Sequence, residues 1–163
     1  MDKKIILQII GGSFQEGFSV IVQISKRGQS LQSNYQGKLP GNMEIMSAYQ
    51  QWQNDYYLSP MIRSAGIRNP RIKLSNELTE VVSENDYINS QENLQTMMKN
   101  WLDSRDFREI KEHICDEVNK DESAQLIITT NNVDLQRLPW QTWNLFKRRT
   151  LIEVSFSSAN FYH

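Results

Sequence analysis

The hydrophobic pattern of this chain begins with period two and later shifts to period 3.6. "KKIILQII" and "GFSVIVQIS" are runs rich in β-branched residues, separated by "GGSFQE", whose paired glycines can take positive φ. In the second run Phe18, Val20, Val22 and Ile24 alternate with Ser19, Ile21, Gln23 and Ser25, giving one fully apolar face and one mixed face. "RGQSLQSNYQGKLPG" supplies a third, more polar strand over Leu31–Gln36, expected at a sheet edge and ended by Gly37 and "LPG". A meander of two or three strands is therefore predicted for residues 1–40.

Helical spacing follows. Asn42 is positioned as an N-cap for a helix from Met43 to about Tyr57, with Ile45, Tyr49, Trp52 and Tyr56 on one face and Met46 widening it. Pro60 limits that helix. Residues 63–89 are irregular, basic early (Arg63, Arg68, Arg71, Lys73) and acidic late (Glu77, Glu80, Glu84, Asp86). They predict a long, partly exposed connection with at most a short strand near Arg71–Leu74. Leu94, Met97, Met98, Trp101 and Leu102 then share one side of a helix that Ser90 is placed to cap. A second helix follows, with Phe107, Ile110, Ile114 and Val118 on one face and Asp106-x-x-Glu109 resembling a capping box.

"AQLIITT" is too short for a buried helix and reads as a buried strand. "LIEVSFSS" alternates again, with Ile152, Val154 and Phe156 opposed to Leu151, Glu153 and Ser155. Between them lies "NNVDLQRLPWQTWNLF". Proline has no N–H and a φ already near the helical value, so Pro139 is expected at the first position of a short helix. Leu138 would sit at its entry, with Trp140, Trp143 and Phe146 running down one side. The predicted fold is mixed α/β (α+β): an N-terminal β-meander with helices packed on a small mixed sheet. One domain over 1–163 is expected, with sub-layers at 1–40, 41–89 and 90–163.

Composition narrows the function classes. The 163 residues are 39% hydrophobic and 23% charged, ordinary for a globular protein. A net charge of −1 supplies no field for nucleic acid, which is not expected as a partner. No run approaches the ~20 apolar residues that span a bilayer. The six-residue run Ile5–Ile10 lacks the cleavage site of a signal peptide. A single cysteine, Cys115, excludes an internal disulfide framework and suits a reducing compartment, so a cytoplasmic location is expected.

Candidate chemistry is sparse. His113 and Cys115 are two apart, so on a helix they point away from each other and cannot form a nucleophile–base pair. Cys115 reads as a flank of the apolar face and His113 as a solvated residue between Glu112 and Glu117. Two histidines and one cysteine at these spacings make no metal site, and "GGSFQEG" lacks the spacing of a phosphate-binding loop. No cofactor is expected. Lys147, Arg148 and Arg149 are a candidate interaction surface. They also fall where a short helix should end, and cations there complement its dipole.

"LIITTNNVDLQRLPWQTWNLF", the helix pair before it and "LIEVSF" after it resemble the region that opens a CHAT domain, the caspase- and separase-like peptidase family of bacteria. "GFSVIVQIS", "GKLPGNMEIMSAYQQWQNDYY" and "WLDSRDFREIKEHI" are similar to the N-terminal part of such proteins, so the likeness spans nearly the whole chain. Leu138, Pro139, Trp140 and Trp143 are its markers. In the family the catalytic histidine and cysteine lie downstream of this segment, and neither His113 nor Cys115 falls at a matching position. The resemblance thus implies the start of a caspase-like fold and a non-catalytic recognition or scaffold module, an accessory region of a signalling or conflict system. It would bind a protein partner, the remainder of a longer CHAT-type chain, or a second copy of itself. The alternatives are a piece or subunit of a cysteine peptidase whose catalytic pair lies elsewhere, and a free-standing protein-binding adaptor.

Overall fold

The computed structural model describes residues 3–26, 31–58 and 84–157. The chain forms two compact units, one of residues 1–42 and 98–163, the other of 43–97. The expected connection over 63–89, with its strand near Arg71–Leu74, lies outside the described residues up to position 83.

The first unit carries a five-stranded mixed sheet. Its strands are β1 (Lys3–Ser13), β2 (Gly17–Lys26), β3 (Leu31–Leu39), β4 (Ala124–Thr129) and β5 (Ile152–Ser157), in the order β3-β2-β1-β4-β5. The first three form the antiparallel meander, and β1 then pairs in parallel with β4, and β4 with β5. The N-terminal strands and the later buried strands thus share one sheet, with β3 at its edge as its polarity predicts.

Register places the apolar residues on one face. Ile5 stands between Ile24 and Leu126, and Leu7 between Val22 and Ile128, and all six are buried. The full apolar set of β2, Phe18 to Ile24 at alternate positions, is buried with them. The hairpin joining β1 to β2 differs from expectation in one detail. Gly11 and Gly12 do have positive φ (58° and 83°), but they sit inside β1, where its register with β2 shifts between Ile10 and Ser13. The shift is a bulge, and glycine is the residue that enters the left-handed region without Cβ strain. Phe14, in the loop, stacks on Trp101 (5.7 Å between rings) and meets Phe18 edge-on (5.2 Å), while the Trp101 indole donates to the Pro40 carbonyl at 2.7 Å.

The meander face is covered by a helix. Of the helices α1 (Met43–Leu58), α2 (Glu84–Leu102) and α3 (Arg105–Glu117), α3 lies across β3. Its apolar positions Phe107, Ile110 and Ile114 are fully buried, and a methyl group at Gly37 of β3 would come within 2.6 Å of Ile110 Cδ1. Gly37 lies inside β3, which runs on to Leu39, instead of ending it: its missing side chain is the space Ile110 fills.

Two helix starts depart from the sequence reading. α2 begins at Glu84, so Ser90 is an interior residue, buried, with its hydroxyl donating to the Tyr87 carbonyl. The first turns carry no periodic signal in the sequence, because Asn85, Asp86, Ile88 and Asn89 are all exposed. For α3 the residue at the N-cap position is Ser104, and its side chain makes no capping bond. Glu109 does not return to the helix start; its carboxylate accepts from the Tyr35 hydroxyl at 3.1 Å.

The second unit comprises α1 and the larger part of α2. α1 spans Met43–Leu58, in agreement with the predicted helix, and buries Ile45, Ala48 and Tyr49. Tyr49, Trp52, Tyr56 and Tyr87 form a ladder of neighbouring rings about 5.8–5.9 Å apart. The aromatic face is packed against itself. Asp55 is buried beside it, with its carboxylate accepting from the Gln51 amide at 2.9 Å.

Candidate functional site

The marker segment is a plug, and it is more broken than expected. In place of one short helix there are three pieces: α4 (Val133–Arg137), a 3-10 turn (Trp140–Thr142) and α5 (Leu145–Arg148). The stretch "NNVD" already starts α4, where the Asn132 side chain caps by accepting from Leu135 N–H at 3.1 Å. Pro139 then precedes the 3-10 turn (φ −80°, ψ 76°), outside helical geometry. Its carbonyl accepts from the Thr142 N–H and hydroxyl. Proline here breaks one helix from the next instead of opening a longer one.

The aromatic residues do what their spacing predicts. Trp140 and Trp143 are buried and meet Phe107 of α3 at 6.3 and 5.0 Å, and Leu138 is buried with them. Phe146 is only partly covered, edge-on to Trp143. The Trp140 indole donates to the Leu135 carbonyl at 2.7 Å, which ties the 3-10 turn to α4. Leu138, Trp140 and Trp143 are thus packing residues of the segment between β4 and β5, and Trp143 also lines a hollow of about 220 Å³ together with Lys99, Asn100, Asp103 and Asn144.

The basic run has three different fates. Lys147 is exposed. Arg148 pairs with Glu112 of α3, its hydrogen bond holding that carboxyl below the usual range against a smaller opposing effect of burial. Arg149 reaches back to the end of α3, donating from Nε to the Val118 carbonyl (2.6 Å) and from Nη2 to the Cys115 carbonyl (2.8 Å). These are carbonyls at a helix C-terminus, where unsatisfied acceptors and the negative dipole end favour a cation. The expected effect is present at the helix it follows, where Arg149 Nη1 donates to the Arg148 carbonyl (2.8 Å), and Arg149 serves the end of α3 as well. Only Lys147 remains a free element of the proposed basic surface.

His113 is corrected from a solvated residue to a packed one. Its ring stacks on Tyr35 of β3 (4.8 Å, 18° between planes) and its Nε2 lies 2.7 Å from the Ser33 hydroxyl. Partial desolvation, then the Glu109 carboxylate, raise the Tyr35 phenol above its ordinary value. Ser33, Tyr35, Glu109 and His113 together seam α3 to the edge strand. Cys115 is buried as predicted and burial pushes its thiol up, away from the thiolate that a nucleophile requires. Among the described residues, no three of His, Cys, Asp and Glu gather as metal ligands, and no helix is long and apolar enough to cross a membrane.

What the plug leaves uncovered is the strand that follows it. β5 pairs only with β4, so its outer backbone edge is open among the described strands. In the parallel register Leu126 stands beside Val154 and Ile128 beside Phe156. Leu126 and Ile128 are fully buried, yet Val154 and Phe156 are 38% and 41% exposed, with Leu151 just before them at 47%. The chain matches no protein-family model, no curated protein and no solved structure. The edge is thus interpreted on its own geometry.

Proposed function

We propose that the chain is a non-catalytic recognition or scaffold module, of the kind its resemblance to CHAT-type proteins implies, and that β5 is where it receives a protein strand. The observation that carries this reading is the abrupt change in cover between β4 and β5. An added strand would satisfy the outer N–H and C=O groups of β5 while covering Val154 and Phe156, which is how sheet edges recognise extended peptides. Whether the strand comes from the remainder of a longer chain or from a separate protein, the physics at the edge is the same. Burial of Cys115 and the packing role of His113 support a module without its own nucleophile.

Phe156→Lys combined with Val154→Lys tests the reading. Both positions are exposed, so folding stability should change by no more than about 0.5 kcal/mol. Without a partner the wild-type chain should bind hydrophobic dye and self-associate as its concentration rises, and the double variant should do neither. A wild-type chain that stays monomeric and dye-silent at every concentration would sink strand addition at β5. Peptide hydrolysis by the purified chain that persists in Cys115→Ala and His113→Ala would overturn its non-catalytic character.

A further inference from the structure

A hollow of about 250 Å³ opens beyond the carboxyl ends of β1 and β4, lined by Ile9, Gly11, Gly12, Phe18, Thr130 and Asn131 among others. Its place in the topology is informative. β1 and β4 are parallel neighbours, but β1 passes the chain to β2 on one side and β4 leads to β5 on the other. Where connections diverge in this way, no crossing segment fills the space above the strand ends, and open α/β sheets bind ligands in that crevice.

The lining defines the chemistry. Ile9 and Phe18 are buried and make an apolar floor, and Ile10, 48% exposed, forms an apolar rim. The Gly11–Gly12 bulge presents bare peptide groups. A Cβ at Gly11 would meet nothing within 4 Å, whereas one at Gly12 would strike the Gly17 carbonyl at 2.0 Å. Opposite stand Thr130, whose hydroxyl accepts from Asn132 N–H at 3.1 Å and can still donate, and the Asn131 amide. No charged side chain is in the lining. A phosphate or carboxylate would find no cation there, and an ammonium no carboxylate.

We infer that this hollow binds a small uncharged ligand of nucleobase type: a flat ring that lies on the Ile9–Phe18 floor and exchanges hydrogen bonds along its edge with the glycine peptides, Thr130 and Asn131. The volume accommodates roughly eight non-hydrogen atoms at about the packing of liquid water, which fits a single pyrimidine-sized ring or a nicotinamide and not a whole dinucleotide. The inference does not rest on strand addition at β5, which lies at the sheet's edge and uses different residues.

Titration of the full ¹⁵N-labelled chain with adenosine, uridine and nicotinamide tests it by amide chemical shifts. At least one probe should give saturable shifts confined to Gly11, Gly12, Thr130, Asn131 and their neighbours. Adenosine 5′-monophosphate should bind no more tightly than adenosine. Gly11→Asn keeps a residue that tolerates the left-handed region while placing a side chain in the open space, and should weaken the bound probe at least tenfold. Ile10→Glu, at an exposed rim position, should weaken it about fivefold and serves if Gly11→Asn misfolds, and Lys147→Ala should change nothing. The inference is overturned if none of the three probes saturates, if the shifts lie elsewhere, if the monophosphate binds more tightly than the nucleoside, or if a folded Gly11→Asn or Ile10→Glu binds as the wild type does.

Discussion

β4 and β5 are adjacent, parallel and equal in length, and their apolar residues lie side by side on one face. One strand is nevertheless core and the other is margin. The difference is one of cover: Leu126 and Ile128 are fully buried, Val154 and Phe156 are 38% and 41% exposed, and the buried Trp140 and Trp143 of the intervening plug meet Phe107 of α3. Only Ile152, at the start of β5, is buried. Alternation in sequence therefore identifies a face that can be covered, and the length of the covering segment decides how much of it is.

The sharpest way to break the contrast is to empty the plug. Trp140→Ala should cost about 3–5 kcal/mol in urea unfolding, since it opens a cavity and also strips the Leu135 carbonyl of its indole donor. With the plug gone, β4 should come to resemble β5 in hydrogen exchange. A loss below 1 kcal/mol would mean that the plug does not hold the layer.

A smaller effect is expected from the fastening of the plug to α3. Arg149→Ala removes two charge-assisted hydrogen bonds to the helix end and should cost about 1.5–3 kcal/mol. Arg149→Lys should recover less than half of this, because an ammonium cannot present the planar fork that spans Val118 and Cys115. Full recovery by lysine would reduce the role of Arg149 to charge alone.

The smallest effect is the Arg148–Glu112 pair. Both side chains are more than a third exposed, so the pair is worth about 0.2–1 kcal/mol. Glu112 is held below its ordinary value when folded. Its contribution is therefore present above the unfolded-state carboxyl pKa and is lost as pH falls through the depressed folded value. Arg148→Ala should flatten acid unfolding slightly in that window and leave stability at pH 9 lower by the same small amount. A stability difference that does not shrink on acidification would exclude the pair as its source.

Most of the framework was legible because it depends on local period. Phe18, Val20, Val22 and Ile24 announced a one-sided strand, and Phe107, Ile110, Ile114 and Val118 a one-sided helix. What escaped depends on distant partners. Nothing near His113 indicates a serine and a tyrosine eighty residues earlier in the chain. Arg149 does serve the end of the helix it follows, but its bonds to α3 leave no local signal because those acceptors are 31 and 34 positions away. Pro139 is ambiguous for a different reason: the same fixed φ that opens a helix also separates two short ones, and flanking residues do not say which.

The parallel pairing of β1 with β4 has a consequence for synthesis. Lys3 must wait for Ala124, and the meander ends at Leu39, so at about 5–20 residues per second it is complete roughly 4–17 s before its central neighbour exists. Through that interval Ile5 and Leu7 stand on an unpaired strand edge next to an uncovered apolar face. The nascent chain thus passes through a sticky intermediate, and its yield in cells should respond to the elongation rate and to chaperones that shield such edges, even where the finished fold is stable.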